Sequence, residues 1–96
     1  MYGIIGKILA VPGKRDELIE ILLAGSAEMP GCHSYIVAKD AEDPDAVWIT
    51  EVWDSPESHQ ASLGLPQVKA AIEKGRPLIA GFRERFETEP VGRVRL

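Results

Sequence analysis

Four consecutive positions, Cys32-His33-Ser34-Tyr35, carry a thiol, an imidazole, a hydroxyl and a phenol, and a carboxylate and an indole follow at Glu51 and Trp53. A second imidazole, His59, stands beyond them. His59 is the first candidate for a general base, because an unperturbed imidazole titrates near neutrality. It falls in a helical segment, with Leu63 one turn later marking the side turned toward the core; the competing reading is a solvent-facing histidine. Glu51 lies mid-strand between apolar neighbours, where burial would raise its pKa and make it a proton acceptor. The simpler reading of Glu51 is a structural ion pair with Arg83, Arg85 or Lys7. Tyr35 and Trp53 could flank a planar ligand, Tyr35 donating a hydrogen bond, although the commoner fate of aromatics at strand spacing is packing. Cys32 and His33 are strand neighbours that point to opposite faces, so they cannot readily chelate one ion, and no third ligand has suitable spacing. Cys32 reads as a small buried hydrophobe, and His33 as part of a binding-site wall.

These residues must be positioned by regular elements. "YGIIGKILAV" (Tyr2–Val11) is β-branched and apolar, closed by Pro12-Gly13, and predicts a strand. From Lys14 the period changes, with Leu18, Ile19, Leu22 and Leu23 at helical spacing, and this helix must end before Pro30-Gly31. Cys32–Lys39 and Val47–Asp54 predict a hairpin joined by the acidic turn "DAEDPD". Ser55 then caps a helix with Pro56 in its first turn; Gly64 and Pro66 interrupt it, and Val68, Ala71 and Ile72 give the resumed helix an apolar stripe up to Gly75. Phe82–Pro90 alternates as a last strand. The resulting order, β-α-β-β-α-β over a single domain spanning residues 1–96, is the ferredoxin-like arrangement: a four-stranded antiparallel sheet with helices on one face.

Both faces of that sheet are mostly apolar. Val47, Ile49, Glu51 and Trp53 point one way on the third strand, and Trp48, Thr50 and Val52 the other; on the first strand Ile4 and Ile8 oppose Ile5, Leu9 and Val11. A lone sheet with helices on one side would carry polar residues on its open face. The chain has no spare element to cover it, so a two-fold homodimer is expected, with Trp48 at the interface.

The formal charge of −4 and the scattered basic residues argue against nucleic acid; the Arg83/Arg85 and Arg93/Arg95 pairs have acidic neighbours in Glu84, Glu87 and Glu89. No apolar stretch is long enough to span a bilayer, no secretory signal is recognisable, and one cysteine makes no intrachain disulfide, so a cytoplasmic location and no membrane partner are expected. No GxGxxG after a strand, P-loop or paired CxxC is present.

The order of elements, with "PGCHSY", the "DPD" turn, "ITEVWDSPESH" and "LPQVKA", resembles the antibiotic-biosynthesis monooxygenase family, which includes quinol monooxygenases and forms dimeric α+β barrels. The resemblance implies oxygenation of a small hydroquinone, phenol or anthrone-like compound by dioxygen, with no metal, flavin or haem cofactor. Such chemistry needs a base, because only the phenolate readily gives an electron to dioxygen, and a dry apolar cavity to hold the radical pair. On this reading His59 is the base, with Tyr35 and Glu51 as further catalytic candidates. Tyr35 and Ser62 orient the substrate, and Trp53, Phe82 and His33 line the site. Many members carry histidines where Ser62 and Gln67 stand here, so sites aligned on those histidines do not carry over. Ile72 stands where the haem-degrading branch supplies its iron ligand. Two other readings share the fold: a non-catalytic dimeric module that binds a small ligand or serves as a regulatory partner, and an isomerase of a small cyclic metabolite.

Overall fold

A computed structural model describes residues 1–94, so Arg95 and the end of the "VGRVRL" tail fall outside the description. The elements are β1 (Tyr2–Ala10), α1 (Arg15–Gly25), β2 (Cys32–Lys39), β3 (Ala46–Trp53), α2 (Pro56–Ser62), α3 (Pro66–Gly75), a 3-10 turn (Arg76–Leu78) and β4 (Ile79–Thr88). The four strands form one antiparallel sheet in the order β2-β3-β1-β4. This is the expected ferredoxin-like topology, with the second helix divided at Gly64-Leu65 as the sequence predicts.

Side-chain parity follows from the register. Ile8 pairs with Val47 and Ile4 with Glu51 across β1 and β3, and Tyr35 pairs with Glu51 across β2 and β3. The face carrying these residues packs against the helices, around a core of Ile8, Ala10, Leu18, Val47 and Ile49. On α1, Leu18, Ile19 and Leu22 meet that core as predicted. Leu23 does not: it is 53% exposed. The contact continues instead through Gly25, where α1 crosses α3 so closely that an added Cβ would lie 2.4 Å from the methyl of Ala71. The helix ends there, earlier than the proline signal alone requires, and the Ser26 hydroxyl donates back to the Leu22 carbonyl.

The opposite face carries Ile5, Ile36, Val52 and Phe86 and is covered by no element among the described residues. Ile36 and Phe86 are 56% and 54% exposed. Trp48 lies on this face, opposite in parity to Trp53, as expected. Its Nε1 donates to Asp40 Oδ1 at 2.7 Å, and Lys7 sits over its ring.

Asp40 organises the "DAEDPD" turn. Its carboxylate accepts backbone N–H bonds from Asp43 at 2.8 Å and Glu42 at 3.0 Å as well as the Trp48 indole. The Asp43 N–H bond, followed by the Trp48 and Glu42 bonds, holds its pKa down at about 2. A folded-state pKa below the unfolded one contributes stability above the unfolded value, and that contribution disappears as pH falls toward the folded value. Stability is therefore expected to decline between about pH 4 and pH 2. Asp40→Asn should flatten that decline in urea midpoints measured across the acid range; an unchanged pH slope would show that Asp40 is not its source.

Candidate active site

Between the sheet and the helices lies a cavity of about 590 Å³. Ile8, Tyr35 and Glu51 form its floor, Leu18, Leu22, Gly25 and Ser26 of the α1 region and Ala71 and Gly75 of α3 roof it, and His59 and Ser62 enter from α2. Arg76, Ile79 and Phe82 line it near the start of β4. Apolar side chains and small residues dominate this lining, as in small-molecule pockets generally.

His59 reaches the cavity through a chain of local constraints. Ser55 caps α2, its Oγ accepting the Ser58 N–H at 3.1 Å, and Pro56 opens the first turn. The start of α2 is pinned to β2 by the Asp54 N–H, which donates to the Gly31 carbonyl at 2.9 Å. Gly31 has φ +81°, and a Cβ there would lie 2.8 Å from Ser58. Only glycine satisfies both the left-handed backbone and the close approach of α2. One turn into α2, the imidazole sits edge-on to Trp53, ring centroids 5.4 Å apart, and 6.1 Å from Tyr2.

His59 Nε2 lies 3.9 Å from Glu51 Oε1, and both side chains are mostly buried, 22% and 14% exposed. The same Glu51 oxygen accepts the Trp53 indole N–H at 3.0 Å. The ion pairs expected for Glu51 are not formed: Lys7 lies near Asp40 at 3.9 Å on the opposite face, and Arg85 pairs with Glu87 at 3.2 Å. No salt bridge joins Glu51 to Arg83 among the described residues. Lys7 of β1 pairs with Trp48, and alternation on β3 puts Trp48 and Glu51 on different faces, which is the physical reason. Glu51 thus faces an imidazole at a distance somewhat longer than a hydrogen bond. Tyr35, its cross-strand neighbour, has its phenol pKa pushed up, chiefly by burial, with a smaller rise from the Glu51 charge and an opposing effect from Ser26. The phenol is therefore kept as a hydrogen-bond donor.

The remaining predicted residues are placed as follows. Phe82 lines the cavity but is 74% exposed, at its mouth. Trp53 is buried at 1% and backs Glu51 and His59 without itself lining the cavity. Ser62 lines it, with its hydroxyl donating to the His59 carbonyl at 2.6 Å; toward a ligand it has only acceptor capacity left. His33 lies outside the cavity, exposed and hydrogen-bonded to Asp54. It occupies a β-bulge between Cys32 and Ser34, which breaks the alternation that had made it a wall residue. Cys32 is partly buried and its thiol pKa is raised, chiefly by desolvation, as suits an unreactive side chain. Two polar lining residues escaped the sequence reading. Arg76 follows the last turn of α3, and Ser26 closes α1; neither stands in a periodic pattern that would single it out.

The profile of the antibiotic biosynthesis monooxygenases matches residues 1–74. The chain belongs to the antibiotic biosynthesis monooxygenase family. A crystal structure from Chloroflexus aurantiacus J-10-fl, provisionally named an antibiotic biosynthesis monooxygenase, is 64% identical, with a TM-score of 0.95 over 98% of this chain and 96% of its own. A similarly named Deinococcus radiodurans structure is 25% identical, TM-score 0.78, over 100% of this chain and 98% of its own. One from Caulobacter crescentus CB15, at 21% identity and TM-score 0.84 over 95% and 90%, shares the fold. No curated protein matches the chain.

At the two positions where the resemblance leads one to expect histidine, the structure shows what Ser62 and Gln67 do instead. Ser62 bonds within its own helix, and Gln67 Nε2 donates to the Ala27 carbonyl at 3.1 Å, tying α3 to the segment after α1. Among the described residues, His59 is the only imidazole lining the cavity. Ile72 lines it as an apolar side chain. No described helix is long and apolar enough to cross a membrane.

Proposed function

We propose that this cavity carries out cofactor-independent monooxygenation of a small hydroquinone, phenol or anthrone-like compound by dioxygen. The observation that carries the reading is the His59–Glu51 pair, 3.9 Å apart and largely shielded from water, at the edge of an otherwise apolar cavity of aromatic-ligand size. His59 takes the substrate's acidic proton, Glu51 stabilises the imidazolium that forms, and Tyr35 donates a hydrogen bond to the substrate oxygen. The electron-rich anion reduces dioxygen, and the apolar walls hold the pair until the C–O bond forms. For an anthrone the methylene becomes a carbonyl, one oxygen atom entering the product and the other leaving as water with the two displaced hydrogens. The substrate supplies all four electrons, so no external reductant is required.

The test is oxygen uptake by chelator-treated protein over a panel of hydroquinones and anthrones, with isotopic dioxygen to trace one atom into product. Uptake no faster than autoxidation with every compound would sink the oxygenase reading in favour of a binding module. Isomerisation of a cyclic ketone without oxygen uptake would favour the isomerase.

The uncovered sheet face supports a homodimer, the two copies placing Ile36, Val52 and Phe86 against each other. Phe86→Glu would bury a carboxylate there and should convert the dimer to a monomer in light scattering. A wild-type mass equal to one chain would refute this assembly.

A further inference from the structure

The two ends of the cavity differ in charge. Glu51 and Tyr35 face each other across β3 and β2 at the level of Ile4, whereas Ile79 pairs with Ala10, six residues further along β1. The cavity therefore runs along the sheet from a carboxylate–imidazole end to the β4 start, where Arg76 stands. The ten residues of α3 that precede Arg76 are about 15 Å long. Among the described residues, Arg76 is the only lysine or arginine in the lining, and its side chain makes no ion pair or side-chain hydrogen bond there. By contrast, Arg15 bonds the Asp43 carbonyl and Arg85 bonds Glu87. Arg76 also borders an outer groove that Lys69 and Glu73 line, so the guanidinium reaches both the cavity and the surface beside it. Exposed Phe82 supplies an aromatic surface at the cavity mouth.

We propose that Arg76 forms an anion subsite and that the ligand is an aromatic carboxylate, its phenolic edge at Glu51 and His59 and its carboxylate at the mouth. The part about the phenolic edge rests on the oxygenation reading; the anion subsite stands without it. A position after α3 suits a cation in any case, because the helix C-terminus carries partial negative charge. That role does not require the side chain to line a cavity. The net charge of −4 gives the chain a field that disfavours anions, so an anionic ligand needs a local cation at its point of entry. Glu51 at the other end repels a carboxylate, and the two charges together allow an aromatic acid only one orientation.

The experiment is anaerobic calorimetric titration of the full chain with 6-hydroxy-2-naphthoate and with 2-naphthol, which differ only in the carboxylate. Wild type should bind the acid at least about tenfold more tightly, the size of one charge-assisted hydrogen bond. Arg76→Gln should remove that preference while leaving 2-naphthol affinity within about twofold, and Arg76→Lys should restore part of it. Equal affinities in wild type, failure of the acid to bind, or a preference that survives Arg76→Gln would overturn the proposal. None of these readings depends on turnover, so a protein that binds the acid through Arg76 yet consumes no oxygen would refute the oxygenase and keep the subsite.

Discussion

His59→Ala is expected to lower oxygen consumption by about 10²–10⁴-fold with the fold preserved, the contribution of a positioned general base. His59 is the imidazole that lines the cavity, and it faces a carboxylate to which no arginine or lysine among the described residues is paired. Loss of the ring should slow the proton-transfer step and leave the apolar walls intact, so kcat should fall much more than ligand affinity. Glu51→Gln should give a smaller loss, because it removes the charge that stabilises the imidazolium but not the base itself. Steady-state oxygen uptake by both variants distinguishes the roles. A His59→Ala variant with wild-type rate beside an inactive Glu51→Gln variant would transfer the base to Glu51. Wild-type rates in both would remove this pair from the chemistry.

Trp53→Ala is expected to cost about 3–5 kcal/mol of folding stability, the usual range for deleting a fully buried large aromatic. A domain of this size has roughly 5–15 kcal/mol in total. The melting temperature should accordingly fall by the order of 15–30 °C. Trp53 is 1% exposed, backs the His59 ring and donates to Glu51, so the cavity left behind would open beneath both groups of the proposed site. Trp53→Phe separates the two contributions: most of the packing remains, only the indole N–H is lost, and the cost should be about 1–3 kcal/mol, that of an unmade bond to a buried acceptor. Thermal melts of the two variants check this. If they lie within about a kcal/mol of each other, the hydrogen bond matters more than the packing, contrary to expectation.

Much of the fold is legible because its signals are local. Ser55, Pro56, Gly64 and Pro66 mark the divided second helix, and the alternation on β3 fixes that Glu51 and Trp53 share a face while Trp48 takes the other. The Glu51–Trp53 contact follows from that two-residue spacing. Three features resist such reading for physical reasons. A β-bulge at His33 adds a residue that alternation does not count, so its side chain leaves the predicted wall. Leu23 has the right spacing for a buried stripe, but α3 meets α1 through Gly25 and Ala71, and a contact made by absent side chains has no hydrophobic signature. Arg76 lies in a 3-10 turn beyond the periodic helix, and only the return of the chain into β4 brings it to the cavity.

The interruption at Gly64-Leu65 divides labour within one wall of the cavity. The proposed base rides on α2, which is fastened to the sheet through Gly31 and Trp53, whereas Ile72 and Arg76 ride on and just after α3, which is fastened to α1 through Gly25 and Ala71. Because the joint uncouples the two anchorages, the α3 segment can drift in sequence, exchanging one ligand preference for another, without disturbing the reacting groups. A lineage built on this scaffold could diversify its substrates by editing a single helix.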